Sequence, residues 1–117
     1  MTNILILESS ITIYNILKKQ LTEDNEKYTI FYSKEFEQAI NIIQLKKIEL
    51  IILNKGTNGL NFIKAINKSK YYSEIPIILT TTDMEDPDIS NVKISGLLKK
   101  PFVKENSMEM VEKALEN

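Results

Sequence analysis

The chain of 117 residues contains no cysteine and no histidine. Without thiols there are no disulfides, no thiolate metal sites and no cysteine nucleophile. Without imidazole, the side chain that most often does acid–base work near neutral pH is missing. An excess of positive charge is also lacking. Lysine plus arginine number 15 against 16 aspartates plus glutamates, a formal net charge of −1, whereas a nucleic-acid-binding domain carries a basic excess. No apolar run approaches the ~20 residues that a membrane span requires, and residues 1–20 lack a secretory leader pattern. Only three glycines and three prolines interrupt the chain, and there is no internal repeat, low-complexity stretch or linker. The expectation is one soluble, cytoplasmic domain over residues 1–117, burying roughly two-thirds of its unfolded surface.

What the chain does contain is short apolar runs in alternation with helical stripes. Residues 48–53, interrupted only by Glu49, read as a strand buried on both faces, as in a parallel sheet. That strand ends at Asn54; a loop with Gly56 and Gly59 follows, and then a helix with Leu60, Ile63 and Ile66 inward. Residues 4–7 form a second such run ending at Glu8, with Ser9 and Ser10 as helix caps. Ile11, Tyr14, Leu17 and Leu21 then recur at helical spacing. Residues 22–27 are a polar loop, 28–32 an edge strand, and Ser33 a cap for a helix whose stripe is Phe36, Ala39, Ile40 and Ile43.

Residues 76–81 give a fourth strand, with Pro76 at its first position, where a missing N–H is tolerated. Over residues 82–91 the helical signal weakens, with Asp83, Glu85, Asp86 and Asp88 packed around Pro87. Residues 96–99 are a fifth strand, closed by Lys100-Pro101-Phe102, and Met108, Val111 and Leu115 mark a last helix. Five strands alternating with about five helices predict a doubly wound α/β sandwich. In such a sheet, chemistry sits past the carboxyl ends of the central strands, which directs attention to Asn54.

Four segments in order carry a family resemblance: Ile-Leu-Ile-Leu-Glu-Ser-Ser at 4–10, Glu-Leu-Ile-Ile-Leu-Asn at 49–54, Ile-Pro-Ile-Ile-Leu-Thr-Thr at 75–81 and Gly-Leu-Leu-Lys-Lys-Pro-Phe at 96–102. Together they resemble the receiver domain of bacterial two-component response regulators, over essentially the whole chain. The resemblance implies a flavodoxin-like (βα)5 three-layer fold with a parallel sheet of strand order 2-1-3-4-5. It implies a phosphoacceptor at the position of Asn54 and an acidic pocket at Glu8 and Ser9. It also implies a switch hydroxyl at Thr81, a phosphate-binding lysine at Lys100 and a cis bond before Pro101.

The departures from that pattern fall on the chemistry. The acceptor position holds an amide. The second acidic position, usually a direct Mg²⁺ ligand, is Ser9, and the switch aromatic is replaced by Leu97. The loop after Asn54 is about three residues short, so Gly56 is the nearest match to the usual carbonyl ligand. Mg²⁺ wants hard anionic oxygens in near-octahedral geometry, and an amide is no nucleophile toward a phosphoryl donor. The expectation is a pseudo-receiver, not an enzyme, with Mg²⁺ binding weak or absent; Glu8 and Gly56 would be its ligands only if a site survives.

Simpler roles stand beside these. Asn54 is as well read as a strand-end cap, Glu8 as the ion-pair partner of Lys100, and Ser9, Ser10 and Thr12 as helix-capping hydroxyls. The expected function is phosphorylation-independent protein–protein signalling, with no nucleic-acid or membrane contact by this domain. Its partner would be a histidine kinase, an output domain or a second copy, met on the face of the fourth helix, fifth strand and last helix. Two alternatives remain open. One is phosphorylation by an atypical route through the acidic loop; the other is an anion or small-molecule sensor built on Glu8, Thr81 and Lys100. A flavin site is disfavoured, because the loop after the first strand has no glycine.

Overall fold

Buried residues alternate between two apolar faces along the central strands. Ile4, Ile6, Leu50, Ile52, Ile78 and Leu98 join one core cluster, and Leu5, Leu7, Ile51, Leu53, Ile77 and Leu79 join the other. With both faces covered, these strands read as unbroken apolar runs rather than alternating ones. The computed structural model describes residues 1–56, 58–82 and 87–116, with side chains from Ile89 onward in the last stretch.

In chain order the elements are β1 (Thr2–Leu7), α1 (Ile11–Thr22), β2 (Tyr28–Ser33), α2 (Phe36–Leu45), β3 (Leu50–Asn54), α3 (Gly59–Lys68), β4 (Ile77–Thr81), a 3₁₀ turn (Pro87–Asn91), β5 (Gly96–Lys99) and α4 (Lys104–Glu116). The sheet is parallel, in the order β2-β1-β3-β4-β5. This is the flavodoxin-like arrangement expected. Helices α1 and α4 cover one face through Tyr14, Leu17, Leu21, Val111 and Ala114; α2 and α3 cover the other through Ala39, Ile43, Phe62, Ile63 and Ile66. Where a further α-helix was weakly signalled, the described residues form a 3₁₀ turn. Asp83, Glu85 and Asp86 of the expected acidic loop lie outside the described residues, as does the side chain of Asp88.

Local details depart from the expected pattern at four places. Ser33 is not a helix cap: it is the fully buried last residue of β2, and its hydroxyl donates to the Glu35 carbonyl at 2.5 Å. Glu35 stands at the cap position of α2 without a side-chain cap bond, and Gln38 reaches back to accept from the Lys34 N–H at 3.4 Å. Ile11 is 50% exposed, because α1 begins beyond the end of the sheet and a stripe extended outward from Tyr14 has no strand beneath it. Ile40 is also exposed, since α2 buries Ala39 and Ile43 and turns the position between them outward. Phe62, absent from the expected stripe, is buried and stacks at a tilt on Phe36 with ring centroids 5.4 Å apart.

Glu49 explains its own place in an apolar run. Its carboxylate accepts from the Asn3 N–H at 3.2 Å and its N–H donates to the Asn3 carbonyl at 2.9 Å, at the amino end of the sheet.

Candidate functional site

Parallel pairing of β1 with β3 sets Leu7 beside Leu53, so the next residues, Glu8 and Asn54, emerge together at the carboxyl ends of the two central strands. A lone carboxylate there must find donors or stay in water. Glu8 is buried, at 5% exposure, and it finds donors on every side. The Lys100 ammonium lies 3.2 Å from Oε1. The Ser10 N–H donates to Oε2 at 2.9 Å, and the Asn54 Nδ2 and the Ser9 hydroxyl stand at 3.5 Å from the same oxygen.

Each of these partners is delivered by its element. Ser10 is the cap of α1: its Oγ accepts from the Ile13 N–H at 3.3 Å, which orients its own N–H toward Glu8. Lys100 follows β5 directly, and its N–H donates to the Thr81 carbonyl at 2.9 Å. The Lys100–Pro101 peptide is cis, as expected. Gly56 has φ +49°, a left-handed conformation that favours glycine, and it turns the chain back after Lys55. A Cβ on Gly59 would lie 3.2 Å from the Asn54 carbonyl, so glycine there lets the start of α3 close on the end of β3 across the short loop.

The candidate residues do not all converge. Glu8, Asn54 and Lys100 meet, with Ser9 at the exposed rim. Thr81 is half-buried and joins the group through its backbone carbonyl. Leu97 packs at the edge of the core on the α2–α3 side. A cleft of about 260 Å³ opens beside Asn54, lined by Leu7, Glu8, Ser9, Lys34, Phe36, Asn54, Gly56 and Asn58. Its lining includes neither Thr81 nor Lys100.

One participant was not anticipated. The Tyr32 hydroxyl donates to the Glu8 carbonyl at 2.8 Å, and its ring stacks on Tyr14 with centroids 3.9 Å apart. Burial, then the Glu8 charge and Tyr14, push the Tyr32 phenol above its ordinary value. The pairing register was the available signal, since β2 sets Ser33 beside Leu7 and so brings the end of β2 level with Glu8.

Among the described residues, no three His, Cys, Asp or Glu side chains are grouped so as to hold a metal ion, and no helix is long and apolar enough to cross a membrane.

Comparison with known proteins places this geometry in context. Residues 4–112 match the family model described as the response regulator receiver domain. The chain is 35% identical over 121 residues to the probable transcriptional regulator ycf29 of Cyanophora paradoxa, covering 98% of this chain and 57% of that protein. It is 27% identical to the transcriptional regulatory protein YvrH of Bacillus subtilis (strain 168), covering 86% of this chain and 43% of that one. The chain thus spans about half the length of these relatives. Among solved structures, it is similar to the chemotaxis response regulator CheY4 of Vibrio cholerae, with a TM-score of 0.87 and 23% identity over 98% of this chain and 99% of that one. It is also similar to a putative response regulator from Chloroflexus aurantiacus J-10-fl, with a TM-score of 0.88 and 18% identity over 99% and 98% of the two chains. At these identities the structural likeness speaks for the fold.

Proposed function

The chain belongs to the response regulator receiver domain family, and on that footing we propose that it signals by protein–protein contact without being phosphorylated. One observation supports the reading. The carboxylate of Glu8 is held by the Lys100 ammonium at 3.2 Å, and beside it at the end of β3 stands an amide, Asn54, at the position the family resemblance gives to the acceptor. An ionised carboxylate has a lone pair to offer a phosphoryl group; a neutral amide has its lone pair delocalised and does not attack.

The donor set also does not fit Mg²⁺. The ion asks for several hard, preferably anionic oxygens and sheds its waters reluctantly. Here the Glu8 carboxylate, the one such group at the site among the described residues, already has Lys100 on one oxygen and the Ser10 N–H on the other. A cation would have to displace Lys100, and among the described residues it would then gain Glu8 as its one anionic ligand. In this reading the domain turns over no phosphoryl donor.

In this reading the pocket is a closed structural unit, and the domain holds one conformation that a protein partner reads. The names of the two relatives point to the regulatory part of a larger transcriptional regulator. The contact surface is that of β5 and α4, where Leu97 and Met108 are half-buried and the edge strand is open to solvent. The test is an NMR titration of the uniformly labelled domain with Mg²⁺, and then with Mg²⁺ and beryllofluoride. Resonances of Glu8, Asn54 and Lys100 are expected to stay in place. Saturable shifts with an ordinary receiver's affinity would overturn the proposal.

A second reading rests on the cleft beside Asn54, whose polar lining of Ser9, Lys34, Asn54 and Asn58 suits a small polar ligand. A thermal-shift screen with nucleotides and inorganic anions tests it; a ligand that raises Tm in a manner lost in Lys34→Ala would favour it over the first.

A further inference from the structure

The segment that carries Lys100 into the site is held by the Phe102 side chain, which packs against the α1–α4 core, and by hydrogen bonds to its backbone. The Lys100 N–H donates to the Thr81 carbonyl, and the next residue is a proline with no N–H to give. The tie that follows comes from 82 residues away in sequence: the Gln20 side-chain Nε2, on α1, donates to the Phe102 carbonyl at 3.1 Å.

That amide is itself locked at its other end. The Ser107 hydroxyl, on α4, donates to Gln20 Oε1 at 2.8 Å, and Ser107 is fully buried. A carbonyl only accepts, so the nitrogen must face Phe102 and the oxygen must face Ser107. Both ends of the amide are satisfied, and truncating Gln20 leaves the buried Ser107 hydroxyl without this mate. Nearby, Lys104 ties the start of α4 to the end of α1 through Glu23, at 2.7 Å, and Asp24. Those groups are more exposed and hold by charge rather than by geometry.

The Lys100 ammonium reaches Glu8 at 3.2 Å, and the placement of residues 100–102 sets where the lysine stem starts. We infer that Gln20 and Ser107 are positioning residues: they clamp the Phe102 carbonyl and thereby hold the ammonium of Lys100 on Glu8. The inference is independent of whether the domain is phosphorylated, because it concerns how the ion pair is held.

The experiment is competitive acylation of the intact 117-residue chain with trace acetic anhydride, with each lysine read by peptide mass spectrometry. Lys100, 16% exposed and ion-paired, should react slowly relative to Lys64, which is exposed on α3. In Gln20→Met the Lys100-to-Lys64 ratio should rise by about fivefold, equivalent to about 1 kcal/mol of lost protection. Gln20→Glu should do the same, since a carboxylate accepts from Ser107 but cannot donate to the Phe102 carbonyl. Val111→Ala, which loosens the α4 core without touching the clamp, should leave the ratio within about twofold at temperatures where circular dichroism shows each variant folded. A ratio within twofold of the unsubstituted chain in both Gln20 variants would overturn the inference. So would an equal rise in Val111→Ala, because the effect would then be general loosening.

Discussion

Removing Lys100 tests how tightly the pocket is closed. At 3.2 Å, two unit charges attract by about 1 kcal/mol in water and about 5 kcal/mol at an effective dielectric of 20. The Glu8 side chain is 5% exposed and that of Lys100 16%, so the pair sits nearer the second limit, less the desolvation both groups have undergone. A coupling of about 2–3 kcal/mol is the expected balance. Lys100→Met leaves the carboxylate with the Ser10 N–H and the Asn54 amide but no counter-charge, and should cost about 3 kcal/mol. Glu8→Gln should cost about 2 kcal/mol, and the double variant little more than the worse single one. Urea denaturation of the four proteins gives the cycle; with slopes of about 1–3 kcal/mol per M, Lys100→Met should lower the midpoint by about 1–3 M. A coupling below about 0.5 kcal/mol would mean that the pair behaves as an exposed one and would refute the closed pocket.

Other perturbations follow from the same contacts. Asn54→Asp sets a second carboxylate about where the amide stands, 3.5 Å from Glu8 Oε2, and should cost about 2 kcal/mol at pH 7. Because neighbouring carboxylates bind protons more readily when folded, that loss should shrink as pH falls, and a loss independent of pH would count against it. Asn54→Asp alone should not be labelled by acetyl phosphate, whereas Asn54→Asp with Ser9→Asp should do better; stoichiometric labelling of the single variant would show that Ser9 does not matter. Gly56→Ala should cost about 1–2 kcal/mol in urea midpoints, since φ +49° suits glycine. The Tyr32 phenol is held above its ordinary value of 10.0, first by burial and then by Glu8. As pH rises past 10 the unfolded chain loses that proton first, so stability is intact below this pH and falls from there toward the folded value. Tyr32→Phe should flatten the decline relative to the unsubstituted protein; an unchanged slope would place the titration elsewhere.

The site was legible where strand ends are. Asn54, Glu8 and Lys100 each terminate or follow a strand bounded by a clear apolar run, and parallel topology fixes where such residues go. The pairing of Glu8 with Lys100 followed from the need of a buried charge for a partner. The Gln20–Ser107 clamp was not legible. Nothing local distinguishes a glutamine on a helix flank or a serine in a helix interior from surface residues until the crossing of α1 and α4 brings them together. Ser33 misled for the complementary reason: hydroxyls favour caps, yet here the register of β2 extends the strand through it, and α2 starts at Phe36 without a side-chain cap. After β4, where the helical signal was weak and Pro87 sits among acidic residues, the described residues 87–91 form a turn of 3₁₀ helix.

The central claim is that the domain takes no phosphoryl group. Incubating the purified chain with acetyl phosphate and Mg²⁺ and recording its intact mass addresses this directly. The mass should be unchanged at times when an active receiver is fully labelled. A gain of one phosphoryl group on most of the protein would contradict the account and place an acceptor in or near this pocket.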